Sequence, residues 1–253
     1  MREKQYFLML KVAMLAGKLM MEANAETTRV EDTMNRILSL SNTRRHDAYA
    51  TTTGLSACLV DDINQRSYTE VSRINKRNTN LNQIDEINRI SRQLCANEIN
   101  FDQAMQQLLA IQKKSNAFRI IFIGSFGISI CFMLLITKQW QLDLVGVLMV
   151  SLGLVIWQYI NKKNILNDFL FCFGGGFCSG MMAILGNYFV SYNIDVVIIS
   201  TIMPLLPGTI ITNAIRDLFL GDYMSGTAKM IEAIVKVAAI SLGVLLSYGV
   251  LHV

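Results

Sequence analysis

Thr209, Asn213 and Asp217 recur at every fourth position directly after Pro204 and Pro207-Gly208, the only two prolines in the 253-residue chain. Proline supplies no backbone N–H and crowds the turn before it, so an apolar helix containing this pair must bend or break and release carbonyls and amides. Beyond the break, the spacing i, i+4, i+8 places the three polar side chains on one helix face. Such a stripe does binding chemistry: discontinuous helices present dipole ends and unpaired backbone groups to small polar solutes. A plainer reading also accounts for the pattern, namely a kinked packing helix whose Asn213 and Asp217 sit at a solvated end.

Other ionisable residues occur within apolar stretches, where charge is costly and usually functional. Asp168, Glu232 and Lys236 are the candidates for proton or substrate coupling. Glu232 and Lys236 lie four apart on one expected helix, so a simple mutual ion pair explains them equally well. A second polar set, Glu26, Arg29 and Glu31 with Thr52 and Thr53, falls in the hydrophilic half and could offer charges and hydroxyls to a ligand. A solvated sheet face and helix capping would use the same residues. Catalysis is not indicated: the only histidines are His46 and His252, and no G-x-S-x-G turn exists. The odd count of five cysteines contains no C-x-x-C pair, so no metal, disulfide or cofactor is expected. There is no G-x-x-x-x-G-K-[ST] loop to bind ATP.

The elements that must carry these residues divide by solvent. Hydrophobic residues make up 52% of the chain and its mean hydropathy is +0.37, too apolar for an ordinary water-soluble domain. Through Arg119 there are 17 Lys/Arg and 13 Asp/Glu, against 6 and 6 afterwards, so the two parts belong to different media. The basic residues of the first part are scattered, which gives no nucleic-acid footprint. Residues 1–115 are expected to form a small α+β cytoplasmic domain and 116–253 a polytopic bundle of about five transmembrane helices. The spans are placed at 117–137, 142–160, 165–190, 196–215 and 231–251, each about the 20 residues a bilayer requires. Lys113, Lys114, Arg119, Lys162, Lys163, Arg216 and Lys229 would then flank one side and only Lys138 the other, which puts the N-terminus in the cytoplasm and the C-terminus outside a plasma or inner membrane.

Within the first part, Lys4, Lys11 and Lys18 against Leu8, Val12, Leu15 and Leu19 predict an amphipathic helix over 4–23. A second helix is expected from Thr28, capped by Thr28 and Glu31, with Val30, Met34, Ile37 and Leu38 buried. Residues 48–60, including the threonines at 51–53, read as one strand paired through a turn at 61–64 with a strand over 66–74. Helices follow over 81–95 and 101–113, the latter capped by Asn100 and Gln103.

This order of parts resembles the threonine/serine exporter (ThrE) family, in particular the larger subunit where that family is split into two chains, and is similar to the larger subunit of dicarboxylate/succinate exporters. The resemblance rests on Ala25, Glu26, Arg29, Val30 and Glu31, on Thr52 and Thr53, on Arg73-Ile74-Asn75 with residues 78–85, and most of all on Pro207-Gly208 followed by Asn213-Ala214-Ile215, Asp217, Gly221 and Gly226. It implies export of threonine or serine, or of a dicarboxylate such as succinate, by a hetero-oligomer with a smaller membrane subunit. A membrane-anchored ligand-sensing or assembly subunit without its own transport path is the alternative. Asn24 departs from the pattern, where relatives commonly place glycine.

Overall fold

The computed structural model describes residues 2–43, 45–61, 64–75, 77–113, 118–138, 140–161 and 166–251. Helices dominate, and the chain divides into two compact units: residues 1–115 with 209–230, and residues 116–208 with 231–253.

The first unit begins with α1 (Arg2–Glu22) and α2 (Thr27–Ser39). The second half of α1 is buried on more than one side, with Met9, Val12, Ala13, Ala16, Leu19 and Met20 all in the core, so only its lysine edge meets water. Gly17 lets the two helices approach: a β-carbon there would come 2.8 Å from Met34 Cγ. Val30, Met34, Ile37 and Leu38 are buried as their spacing predicts, each side chain contributing about 1.5–3 kcal/mol. The expected capping box does not form. The helix starts one residue earlier, with Glu26 as N-cap and no side-chain cap, while the Glu31 carboxylate accepts a 2.8 Å hydrogen bond from Ala50 N–H.

The single expected strand over 48–60 is two strands. β1 (Arg45–Ala50), β2 (Gly54–Asp61) and β3 (Arg66–Arg73) make an antiparallel sheet in that order. Three successive threonines favour extended chain, but Thr51 closes a turn instead: its hydroxyl donates to Gly54 C=O and accepts from Gly54 N–H, both at 3.1 Å. Thr52 and Thr53 therefore lie in a hairpin turn. Strict alternation in β2 sends Leu55, Ala57 and Leu59 into the core. Helices α3 (Leu81–Cys95) and α4 (Phe101–Lys113) have the expected limits. Asn100 and Gln103 cap α4 reciprocally, and Leu81, the first residue of α3, is exposed.

The second unit holds α5 (Phe118–Ile136), α6 (Trp140–Ile160), α7 (Asp168–Asn187), α8 (Ile194–Ile202) with a short 3-10 turn over Met203–Leu205, and the 231–251 part of α10 (Tyr223–Leu251). By length and composition α6, α7 and α10 can cross a membrane; α8 and α9 (Gly208–Phe219), taken together as one broken span, would make four among the described residues. A shorter apolar helix covers Phe122–Ile136. Lys114, Lys162 and Lys163, used above to orient the spans, lie outside the described residues, as does His252. Leu135, Ile123 and Leu152 are exposed on their helices, as lipid-facing residues would be. Gly176 has no room for a side chain, since a β-carbon would run into the backbone carbonyl of Ile240.

Candidate functional site

The proline pair ends a helix. The 3-10 turn closes at Leu205, Leu206 is extended (φ −65°, ψ 136°), Pro207 is buried, and a new helix starts at Gly208. Pro204 sits within the 3-10 turn, where its missing N–H costs little. The helix is thus interrupted as the sequence predicts.

Thr209, Asn213 and Asp217 on α9 do share one face, and every one of them bonds to the same neighbourhood of the first unit. The Thr209 and Thr79 hydroxyls are 3.1 Å apart, the Asn213 amide donates to Asn24 C=O at 2.8 Å, and the Asp217 carboxylate accepts from the Thr27 hydroxyl at 3.1 Å. This neighbourhood is centred on the turn between α1 and α2, to which Thr79 is tied by a 3.3 Å hydrogen bond from the Asn24 side-chain amide. Asn24 holds it in the left-handed region at φ +63°, with Ala25 N–H bonded to Met20 C=O and Asn24 N–H to Met21 C=O. That is a glycine-type helix ending, and asparagine tolerates it better than other non-glycine residues. The departure from the family pattern therefore preserves the turn.

Asp217 has a partner the sequence reading missed. Lys229 is completely buried, and its Nζ lies 2.6 Å from Asp217 Oδ2, 3.2 Å from Thr27 Oγ1 and 3.4 Å from Ala25 O. Counted from sequence as a flanking basic residue, it faces no solvent at all. A second left-handed turn makes the pairing possible: Gly221 (φ +89°) ends α9, Asp222 Oδ1 accepts from Ser225 N–H, and α10 starts at Tyr223, not at Ile231. The chain then doubles back, bringing Lys229 to Asp217. Asp217 Oδ1 is buried without a hydrogen-bond partner.

Beside this pair an open cavity of about 200 Å³ is lined by Asn24, Glu26, Arg29, Asp85 and Asn213 together with the apolar Leu81 and Ile84. Glu26 also pairs with Arg216 of α9. Of the hydrophilic cluster read from sequence, Glu26 and Arg29 reach the cavity, whereas Glu31, Thr52 and Thr53 do not line it. Burial pushes the Glu31 carboxyl above its ordinary value; the Ala50 N–H opposes this, and the nearby charges of Asp222, Asp47 and Asp32 add to it.

The three coupling candidates meet in the second unit. Lys236 Nζ is 2.8 Å from Asp168 Oδ2 and 2.9 Å from Glu232 Oε1. The i, i+4 pair forms, and Asp168 joins it from the first turn of α7.

The sequence pattern of the ThrE family, described as "Putative threonine/serine exporter", matches residues 11–251. The chain belongs to the ThrE family. No curated protein and no solved structure matches it. As a ThrE chain with several membrane-crossing helices it is a multi-pass membrane protein of an export family. The family pattern spans both the cavity residues and the proline break.

Proposed function

We propose that this ThrE chain is the larger part of a secondary exporter of small polar metabolites, threonine and serine preferred, working with a smaller membrane subunit of the same family in a hetero-oligomer. In this reading the N-terminus is cytoplasmic, the C-terminus lies outside the inner membrane, and the cavity loads substrate from the cytoplasm. The observation that carries it is the lining of that cavity: one guanidinium, two carboxylates and two amides beside the apolar Leu81 and Ile84. An α-amino acid presents the complement of this set, with its carboxylate for Arg29, its ammonium for Glu26 and Asp85, and its side chain for Leu81 and Ile84. A dicarboxylate such as succinate fits less well, since two like charges would meet a single lining cation. Asn213 gives the cavity a group on α9, the helix that follows the proline break. Unpartnered buried hydroxyls of Ser129, Ser151, Ser179 and Ser200, one on each of α5 to α8, supply polar groups inside the apolar bundle.

Efflux from threonine-loaded cells expressing the chain with its neighbouring small subunit tests the proposal. Asp85→Asn and Asn213→Leu are expected to cut threonine efflux about tenfold or more while membrane levels hold, as loss of a charge-assisted or buried hydrogen bond would. Full efflux in both variants refutes the cavity as loading site. Threonine binding with no efflux from any combination of subunits instead favours the ligand-sensing alternative.

A further inference from the structure

Between α2 and α3 lies a second cleft, of about 170 Å³, into which Arg29, Arg36 and Arg92 all face. Among the described residues none of these guanidinium groups has an ion-pair partner. Asp32 is the one acidic group in the lining, so three positive charges and one negative leave the cleft at +2. Its floor is polar and built: Thr33 and Ser91 are buried, and the Asn88 amide nitrogen is buried with no hydrogen-bond partner. The Thr33 hydroxyl donates to Arg29 C=O at 2.9 Å, which fixes it in the α2 backbone below the arginine.

Helix periodicity produces this arrangement. Arg29, Thr33 and Arg36 fall on one face of α2, and Asn88, Ser91 and Arg92 fall on one face of α3. Arg29, Arg36 and Arg92 are exposed along the cleft, so an anion entering it meets three guanidinium groups without displacing an ion-pair partner. Guanidinium forks match the oxygens of phosphate in paired hydrogen bonds, and a phosphate monoester carries about −1.5 to −2 charges near neutral pH. We propose that the α2–α3 cleft is a phosphate-binding site, in which Arg36 and Arg92 grip the oxygens, Arg29 closes the side and the Asn88 amide donates from below. Arg29 lines this cleft and the substrate cavity alike. Bound phosphate therefore competes with the cavity for the same guanidinium and acts as a brake on loading; this last step rests on the export reading, whereas the binding site does not.

The test uses the full chain in uncharged detergent, with thermal unfolding followed as inorganic phosphate replaces chloride at constant ionic strength. Phosphate is expected to raise the unfolding temperature saturably. The half-saturating concentration should rise about tenfold or more in Arg36→Gln/Arg92→Gln, the loss of two charge-assisted bonds, and stay unchanged in Arg89→Gln, which removes an exposed arginine outside the cleft. No saturable shift, or the same shift in all three proteins, overturns the site. Equilibrium dialysis of wild-type chain with labelled phosphate gives an independent reading: no saturable binding overturns the site even if the double variant fails to fold. Nanodiscs with and without phosphatidic acid separate the sources, since competition by the lipid assigns a headgroup phosphate and undiminished affinity a free solute. For the brake, phosphate should slow threonine efflux in wild type and spare the double variant. Saturable binding without that slowing refutes the brake alone, and binding with no efflux in any protein refutes the export reading alone.

Discussion

Asp217 with Lys229 and Lys236 with Asp168 and Glu232 are both ammonium–carboxylate clusters anchored on α10, yet they differ in burial and in charge balance. In the first, both side chains are 0% exposed and one carboxylate faces one ammonium. In the second, Lys236 is 16% exposed, Glu232 23% and Asp168 70%, and two carboxylates share one ammonium. A dry, charge-balanced pair tolerates no loss of either member, because the survivor keeps its charge where nothing can solvate it. A less buried cluster in which two carboxylates share one ammonium can exchange partners at smaller cost. The first arrangement suits a fixed joint between α9, α10 and the α1–α2 turn; the second suits a group that exchanges partners.

The sharpest way to break this contrast is to remove one charge from the dry pair. Lys229→Met or Asp217→Asn alone should cost about 3–5 kcal/mol, read as a large fall in unfolding temperature and in the amount of folded protein in the membrane. The double variant should recover much of that loss, since no lone charge remains. Equal stability of Lys229→Met and wild type would contradict the burial of the pair. Because Asp217 variants are expected to fail by unfolding, Asn213 and Asp85 are the better probes of transport.

Local patterns made much of this legible from sequence. The limits of α3 and α4, the reciprocal cap of Asn100 and Gln103, the buried stripe of α2 and the broken helix at Pro207 all follow from residues within a few positions of one another. The hairpin turn at Thr51 was illegible because β-branched residues favour extended chain and nothing local shows that the first hydroxyl will fold back on Gly54. Lys229 was misread for a related reason: its partner is twelve residues away across the Gly221 turn, and charge counting treats every terminal lysine as solvated. A glycine in left-handed geometry between two helices, with acid before it and base after it, is the signal that could have revealed the pair. The cavity combines Asn24, Asp85 and Asn213 from three distant segments, which no periodicity connects.

Smaller effects are expected in the Lys236 cluster, and their order sharpens the comparison. Lys236→Met leaves two carboxylates facing each other and should cost about 1–3 kcal/mol. Asp168→Asn removes only the less buried of the two carboxylates and leaves the Lys236–Glu232 pair, so it should cost less than Lys236→Met. Thermal unfolding of the two variants beside wild type checks the order. A greater loss from Asp168→Asn than from Lys236→Met would mean that Asp168, and not Lys236, holds the cluster together.

Glu31 gives the smallest effect and the only one with a pH signature. Burial raises its carboxyl above the ordinary 4.5, and the charges of Asp222, Asp47 and Asp32 add to the rise against the Ala50 N–H bond. The folded chain therefore holds this proton to higher pH than the unfolded chain does. Its ionisation opposes folding fully above the raised folded value, and the penalty fades as pH falls through that value toward 4.5. Glu31→Gln keeps an oxygen for Ala50 N–H and removes the charge, so its stability relative to wild type should increase with pH across that window and level off above it. Wild-type and variant unfolding measured from about pH 4 to 8 checks this. A constant difference would show that Glu31 ionises as freely in the fold as in water, and that the negative groups around the α1–α2 unit do not feel one another as its packing implies.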